Sequence, residues 1–555
     1  MWLDEVDEIF KGYNISCYIL IVLPIFILVS STSPVSASHE FPAYRMQHFD
    51  LHGMAFGSRM ASVNLEARSI STFSSSRHCV FARLMDLSIE TYRNIRGKAG
   101  ALIVELPKSL SNLTQDEKQH ILMLEQKMIY EQETSIPVYF TKYNNVIDNI
   151  VTELSTNVDA RNKKKSAAET LFSSIAANGY QIVISAGTPT ARTDTKIATI
   201  YGHLAGYRPD GKVPTIAIVT HYDSFGVAPE LSHGADANGS GVIVMLELIR
   251  LLSGLYADPK TRGKFNIIFV LAGGGKINFQ GSKKWLEEQL DSSEGSLIQE
   301  ASFVLCLDTL AASDTIFMHV SKPPKDGSPA SIFYKNLKSV GEDYPSVSIE
   351  GVHKKINLAE DILAWEHERY SIRRLTAFTL SSVKSHKDSW RSTILDNSEN
   401  LDINRLERNA KIIVNSIGKF VYDIPDGGIF GGSWDVNPAY IDAWLNHLAG
   451  QPRSSQLLST KDNALVVSLQ DNFNKYLRDV KITFAMPDKR DPDYQFFGTT
   501  GGTLNIYSVK PAVFDLIVTL AITLYLVLVY VVIHYVPVLY SVSMNLMKNQ
   551  KVKAR

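Results

Sequence analysis

"TIAIVTHYDSFGVAPELSHGADANGSGVIVMLELIRLL", residues 215–252, decides how the chain is built. It opens on an apolar run of strand length, "TIAIVTHYD" at 215–223, and crosses a loop rich in Gly, Ala and Asn. From 239 it shows helical periodicity. A strand that delivers His221 and Asp223 at its carboxyl end and then leads into a helix is the repeating unit of α/β folds. The pattern continues outward. "FNIIFVLA" (265–272) reads as strand, "GSKKWLEEQL" (281–290) as helix, "SFVLCLDTL" (302–310) and "IFMHV" (316–320) as strands. "PASIFYKNLKSVG" (329–341) then reads as helix, "LTAFTLSS" (375–382) as strand, and a long helix follows near 401–420. The expected fold is α/β, a largely parallel mixed sheet flanked by helices. In such sheets ligand sites lie beyond the carboxyl ends of the strands.

With 555 residues the chain is too long for one core. Residues 195–422 form the alternating unit. Residues 38–194 mix short extended runs with a helical stretch near 115–131 and read as a separate N-terminal α/β lobe. Residues 423–510 read as a helical membrane-proximal segment. The formal net charge of −1 argues against nucleic acid as a direct partner.

Both ends point to a membrane. "CYILIVLPIFILV" (17–29) suits the apolar stretch of a signal peptide covering 1–37, or a retained anchor. "LIVTLAITLYLVLVYVVI" (516–533) carries no charge and places a transmembrane helix at 511–536. The tail, 537–555, is basic, so it is expected in the cytosol and the large domain on the other side. Lys551 and Lys553 in the terminal "KVKAR" resemble a dilysine retrieval signal, or are a plain basic flank. Asn112 and Asn238 stand in N-glycosylation sequons, and Cys79 and Cys306 form one disulfide or none.

The chemistry-bearing residues gather at the strand ends: His221 and Asp223, then "HGADANGSG" (233–241), Asp308 in "LCLDTL", and His386 in "SSVKSHKD". This order resembles the zinc aminopeptidases of the M28 type over roughly 195–420. The resemblance implies two zinc ions. His221 and Asp308 match ligands of one, His386 matches a ligand of the other, and Asp223 matches the carboxylate that orients the histidine. The Asp that would bridge both ions falls on Ala237, with Asp236 one residue early. The Glu pair that would supply a ligand and the general base falls on Gly275 and Lys276 in "GGGKINFQGS" (273–282). Catalytic zinc takes three protein ligands, and an ammonium nearby opposes a dication. No cofactor is therefore expected, and the pocket reads as degenerate, with Lys276 free to pair with a remaining acid. "GGGKIN" also lacks the spacing of a phosphate-binding P-loop.

Stretches such as "HEFPAYRMQHFDLHG", "GGGKINFQG" and "HKKINLAEDILAWEHERYSIRR" are similar to the nicalin and nicastrin family, membrane-anchored relatives of this fold with degenerate sites. That resemblance implies a non-enzymatic subunit of the endoplasmic reticulum membrane, single-pass and type I. Its implied partners are nodal modulator, a small multi-pass membrane protein, the ribosome-associated translocon and membrane lipid. The implied roles are multi-pass membrane protein biogenesis and a link to Nodal signalling. Two other readings stand beside it. One is a lumenal zinc aminopeptidase with a rearranged site that uses Asp236 as bridge. The other is a receptor whose emptied pocket faces a peptide amine with Asp308 or Asp223. The charged segment 357–375, with His367, reads as a surface helix.

Overall fold

The structure, a computed structural model, describes residues 39–553 apart from 132, 163–178, 193–194, 292–295, 425–428, 461, 487–493, 499–500 and 510–511. The expected signal segment, 1–37, lies outside the described residues.

Eight strands form the main sheet, in the spatial order Ser348–His353, Thr315–Val320, Ala377–Ser381, Ala301–Leu307, Thr215–His221, Asn266–Ala272, Ile197–Leu204 and Arg478–Ala485. The four from Ala377–Ser381 to Asn266–Ala272 are mutually parallel. Antiparallel neighbours flank them. Thr215–His221 lies in the centre and is buried along its whole length, which is why its sequence is continuously apolar rather than alternating. Ile216 and Ile218 pack with the helices Gly239–Ala257 and Ile403–Tyr422 on one face. Ala217 and Val219 pack with Trp285 and Tyr370 on the other. The sheet is thus covered on both sides, and its carboxyl edge is the open one.

A second unit is a closed seven-stranded barrel in the order His39–Arg45, Gly501–Val509, Gly179–Ile184, Val63–Arg68, His78–Arg83, Ala101–Glu105 and Val138–Thr141. A small sheet of Tyr494–Phe496, His48–Leu51 and Met54–Gly57 lies between the units. The segment 423–510 is therefore not simply helical. Helices Pro438–Ala449 and Ala464–Tyr476 are followed by three strands, one in each sheet. Leu504 and Ile506 are buried and alternate with more exposed neighbours, the period-two pattern of a strand with one covered face. The N-terminal lobe is accordingly completed by residues from the far end of the chain.

Among the described residues, two apolar helical stretches have opposite surroundings. Gly239–Ala257 is enclosed by the core. Ala512–Lys553 is one continuous helix, and apolar side chains along Leu516–Val531 stand exposed: Leu516 and Leu520 are each 68% exposed and Leu524 67%. A stripe of that length without a protein complement has lipid as its complement. Lys551 and Lys553 lie in its last turn.

Candidate functional site

Parallel register brings the site together. His221 pairs with Ala272 on the neighbouring strand, so the chain leaving Ala272 turns back over the histidine. Gly274 makes that turn at φ 67°, a conformation glycine adopts without strain. Gly275 N–H donates to Asp223 Oδ1 at 2.7 Å and Lys276 N–H to Oδ2 at 3.0 Å, while Ser455 Oγ donates to Oδ2 at 2.6 Å. Asp223 thus binds the glycine loop. It does not take the expected role of orienting His221.

His221 turns elsewhere. Its Nδ1 lies 3.2 Å from Glu366 Oε2, and Ser282 Oγ donates to Glu366 Oε1 at 2.6 Å. All three side chains are buried. The imidazole occupies the space beside Gly275, where a Cβ would fall 2.1 Å from its Cγ and Cδ2. Among the described residues its Nε2 has no hydrogen-bond partner.

Asp308 leaves the adjacent strand end and meets a guanidinium. Arg391 Nη2 lies 2.5 Å from Asp308 Oδ2, and Thr309 N–H and Oγ donate to Oδ1 at 2.7 and 2.9 Å. Burial alone would raise the Asp308 pKa, but Arg391, His221 and Lys276 together hold it far below the usual carboxylate range. Arg391 also stacks over Trp365 at 4.8 Å and donates to the His386 carbonyl at 3.0 Å. The expected partner of a leftover acid was Lys276. The direct contact belongs to Arg391 instead, and among the described residues Lys276 Nζ reaches only the Arg391 carbonyl, at 3.4 Å. Burial and the neighbouring Arg391 push Lys276 down to about 8, against the pull of Asp308, Asp223 and Asp396.

The loop "GADAN" is held from below. Asp396 accepts from Asp236 N–H and Ala237 N–H, both at 2.7 Å. Asp236 Oδ1 accepts from Leu310 N–H and Ala311 N–H, and Oδ2 from Trp390 Nε1. Burial raises both carboxyl groups, and the neighbouring Asp236 raises Asp396 further. An Asp236 bridge between two metals therefore has no free carboxylate to work with. His386 is half-buried, with Nε2 unpartnered, and burial lowers it to about 4.

This donor set does not fit a two-zinc centre. The oxygens of Asp308 are taken by Arg391 and Thr309, those of Asp223 by the glycine loop and Ser455, and those of Asp236 by Leu310, Ala311 and Trp390. Among the described residues, no group of three or more His, Cys, Asp and Glu side chains is placed to hold a metal ion. Nor do Asp308 and Asp223 face an amine, since they are 2% and 1% exposed and fully engaged. Above them lies a cavity of about 570 Å³, walled by the small sheet and by Lys276, His386 and Arg391.

Sequence reasoning missed Glu366, Arg391, Asp396 and Ser455. Glu366 sits in the segment read as a surface helix. Residues 363–370 are in fact buried, and His367 bonds Thr379 and Ser321 in the interior. Asn238 corrects a second expectation. It is wholly buried at φ 78° at the start of Gly239–Ala257, so a glycan has no room there, whereas Asn112 is exposed. Cys79 and Cys306 are free and buried in separate cores.

Residues 200–417 match the model of Peptidase family M28. The human protein named BOS complex subunit NCLN is 40% identical over 564 residues, covering 99% of this chain and 100% of its own. The zebrafish (Danio rerio) protein of that name is 41% identical, with 94% of each chain covered. The protein named Nicalin from Caenorhabditis elegans is 28% identical over 94% of this chain and 95% of its own. Among solved structures, the γ-secretase component nicastrin superposes with a TM-score of 0.61 at 11% identity, covering 85% of this chain and 100% of that one. That likeness is one of fold.

Proposed function

The chain belongs to the nicalin family, and from that premise we propose that it is a non-enzymatic subunit of a membrane complex in the endoplasmic reticulum. The full-length relatives named as BOS complex subunits support membership of such a complex. The exposed apolar helix Ala512–Lys553 supports anchorage in the bilayer. In this reading the two globular units lie in the lumen, the basic end lies in the cytosol, and Lys551 and Lys553 serve retrieval. The partners are nodal modulator and a small multi-pass membrane protein, acting with the ribosome-associated translocon in multi-pass protein biogenesis, and the complex is linked to Nodal signalling.

The observation that carries the non-enzymatic part is the Asp308–Arg391 ion pair. The positive charge that a hydrolytic metal would bring is supplied by the chain itself, as a cation that cannot bind water as a nucleophile. No carboxylate stands at the general-base position, which is Gly275 or Lys276.

Two measurements test the proposal. Affinity purification of the full chain from membranes in mild detergent should recover the two named membrane partners together with ribosomal components. Recovery of the chain alone would overturn the complex. Metal analysis and aminopeptidase assays of the same material should give no stoichiometric zinc and no turnover. Two equivalents of zinc with turnover would overturn the non-enzymatic reading.

A further inference from the structure

We propose that the cavity above the degenerate site binds a carboxylate carried on an apolar body, with the Lys276 ammonium as its counter-ion. This stands apart from the scaffold reading, which survives if the cavity proves empty.

At about 570 Å³ the cavity falls in the range of roughly 300–1,000 Å³ that holds small ligands. Phe49, Phe56 and Tyr494 of the small sheet form one side, with Phe49 stacked on Tyr494 at 5.2 Å and on Phe56 at 5.2 Å. Phe225, Phe279 and Ile362 form much of the rest. These aromatic and aliphatic surfaces set the apolar body of the ligand.

The polar end sets its charge. Of the cations at the base, Arg391 is already committed to Asp308, to the His386 carbonyl and to the Trp365 face. Lys276 is not so committed. An ammonium has three donors, and Lys276 spends one of them on a single long bond to the Arg391 carbonyl. It is partly exposed, while Asp308 and Asp223 beneath it are buried and absent from the wall. At the rim, Glu131 is paired with Arg93 and Arg96, Asp388 accepts from Trp390 N–H, and Glu360 lines the wall together with Lys127 and Lys387. At the base, beside Lys276, an entering amine meets a like charge, and an entering carboxylate meets a donor with free capacity. The accessible charge at the base of the cavity is the Lys276 ammonium.

The test uses the full chain in digitonin and calorimetric titration with four probes. These are N-acetyl-Leu-Phe as the free acid, the same peptide as its amide, Leu-Phe amide with a free amine, and laurate. The expected result is binding of the free acid, of laurate, or of both, at least ten-fold tighter than either amide. Which of the two binds identifies a peptide end or an acyl chain as the source. Lys276→Met should weaken that binding at least ten-fold and Lys276→Arg should largely retain it, with unchanged circular dichroism in both. Equal binding of acid and amide, preference for the free amine, no binding of either carboxylate, or an unaltered affinity in Lys276→Met would each overturn the assignment.

Discussion

The His221 imidazole and the α-carbon of Gly275 share one space: a methyl group on Gly275 would lie 2.1 Å from the ring carbons. The histidine has moved into room that a side chain at 275 would fill, and there it is held by Glu366. Gly275→Ala should therefore cost about 1–3 kcal/mol through overpacking, read from urea denaturation. A variant as stable as the parent would show that the ring has a second resting place.

The Asp308–Arg391 pair should behave as a buried ion pair. Removing one partner strands a charge, so Arg391→Met should destabilise by about 3–5 kcal/mol. Combining it with Asp308→Asn should recover much of that loss. A double-mutant cycle measures the coupling, and additive losses would argue that the two groups act independently.

Asp236 and Asp396 give a pH dependence of definite sign. Both carboxyl groups are raised by burial, so across about pH 4–7 they hold more protons in the folded protein than in the unfolded chain. The contribution of these two groups to stability should fall as pH rises through that window, against an opposite contribution from buried histidines such as His319, His367 and His386, which burial lowers. Asp308 is depressed, and its contribution is lost only as pH falls below about 4, so it adds no slope there. Urea melts of the parent and of Asp236→Asn at a series of pH values isolate the carboxyl contribution: the stability of the parent relative to the variant should fall as pH rises from about 4 to 7, and a pH-independent difference would contradict the assignment.

Cys79 and Cys306 are buried, and burial raises both thiols far above their ordinary range. Neither should react with a maleimide in the native protein, and both should react after denaturation. Mass spectrometry of labelled peptides distinguishes the two states. Rapid native labelling of either would contradict the packing.

The main sheet was legible because its signals are local. Apolar runs such as "TIAIVT" and "FNIIFVLA" name their own strands, and their order places His221, Asp308 and the glycine loop at one edge. The partners that hold these residues were not legible. Arg391 and Asp396 arrive from segments without periodicity, Glu366 from one that reads as a surface helix, and nothing local marks an arginine as the partner of an aspartate 83 residues earlier. The barrel was hidden for a related reason. Its closing strand pairs His39 with Ile506, and no pattern within either segment declares so distant a neighbour.

That closing strand also fixes a chronology. Gly501–Val509 sits between His39–Arg45 and Gly179–Ile184, and the apolar helix begins at Ala512. As the chain grows from its amino end, the barrel has a gap one strand wide until almost all of the globular sequence has been made. Two edges with unpaired backbone groups wait through that interval, exposed to any extended polypeptide nearby. Maturation of the first unit and delivery of the anchor thus become a single late event. A chaperone for this protein would have its work at those two edges.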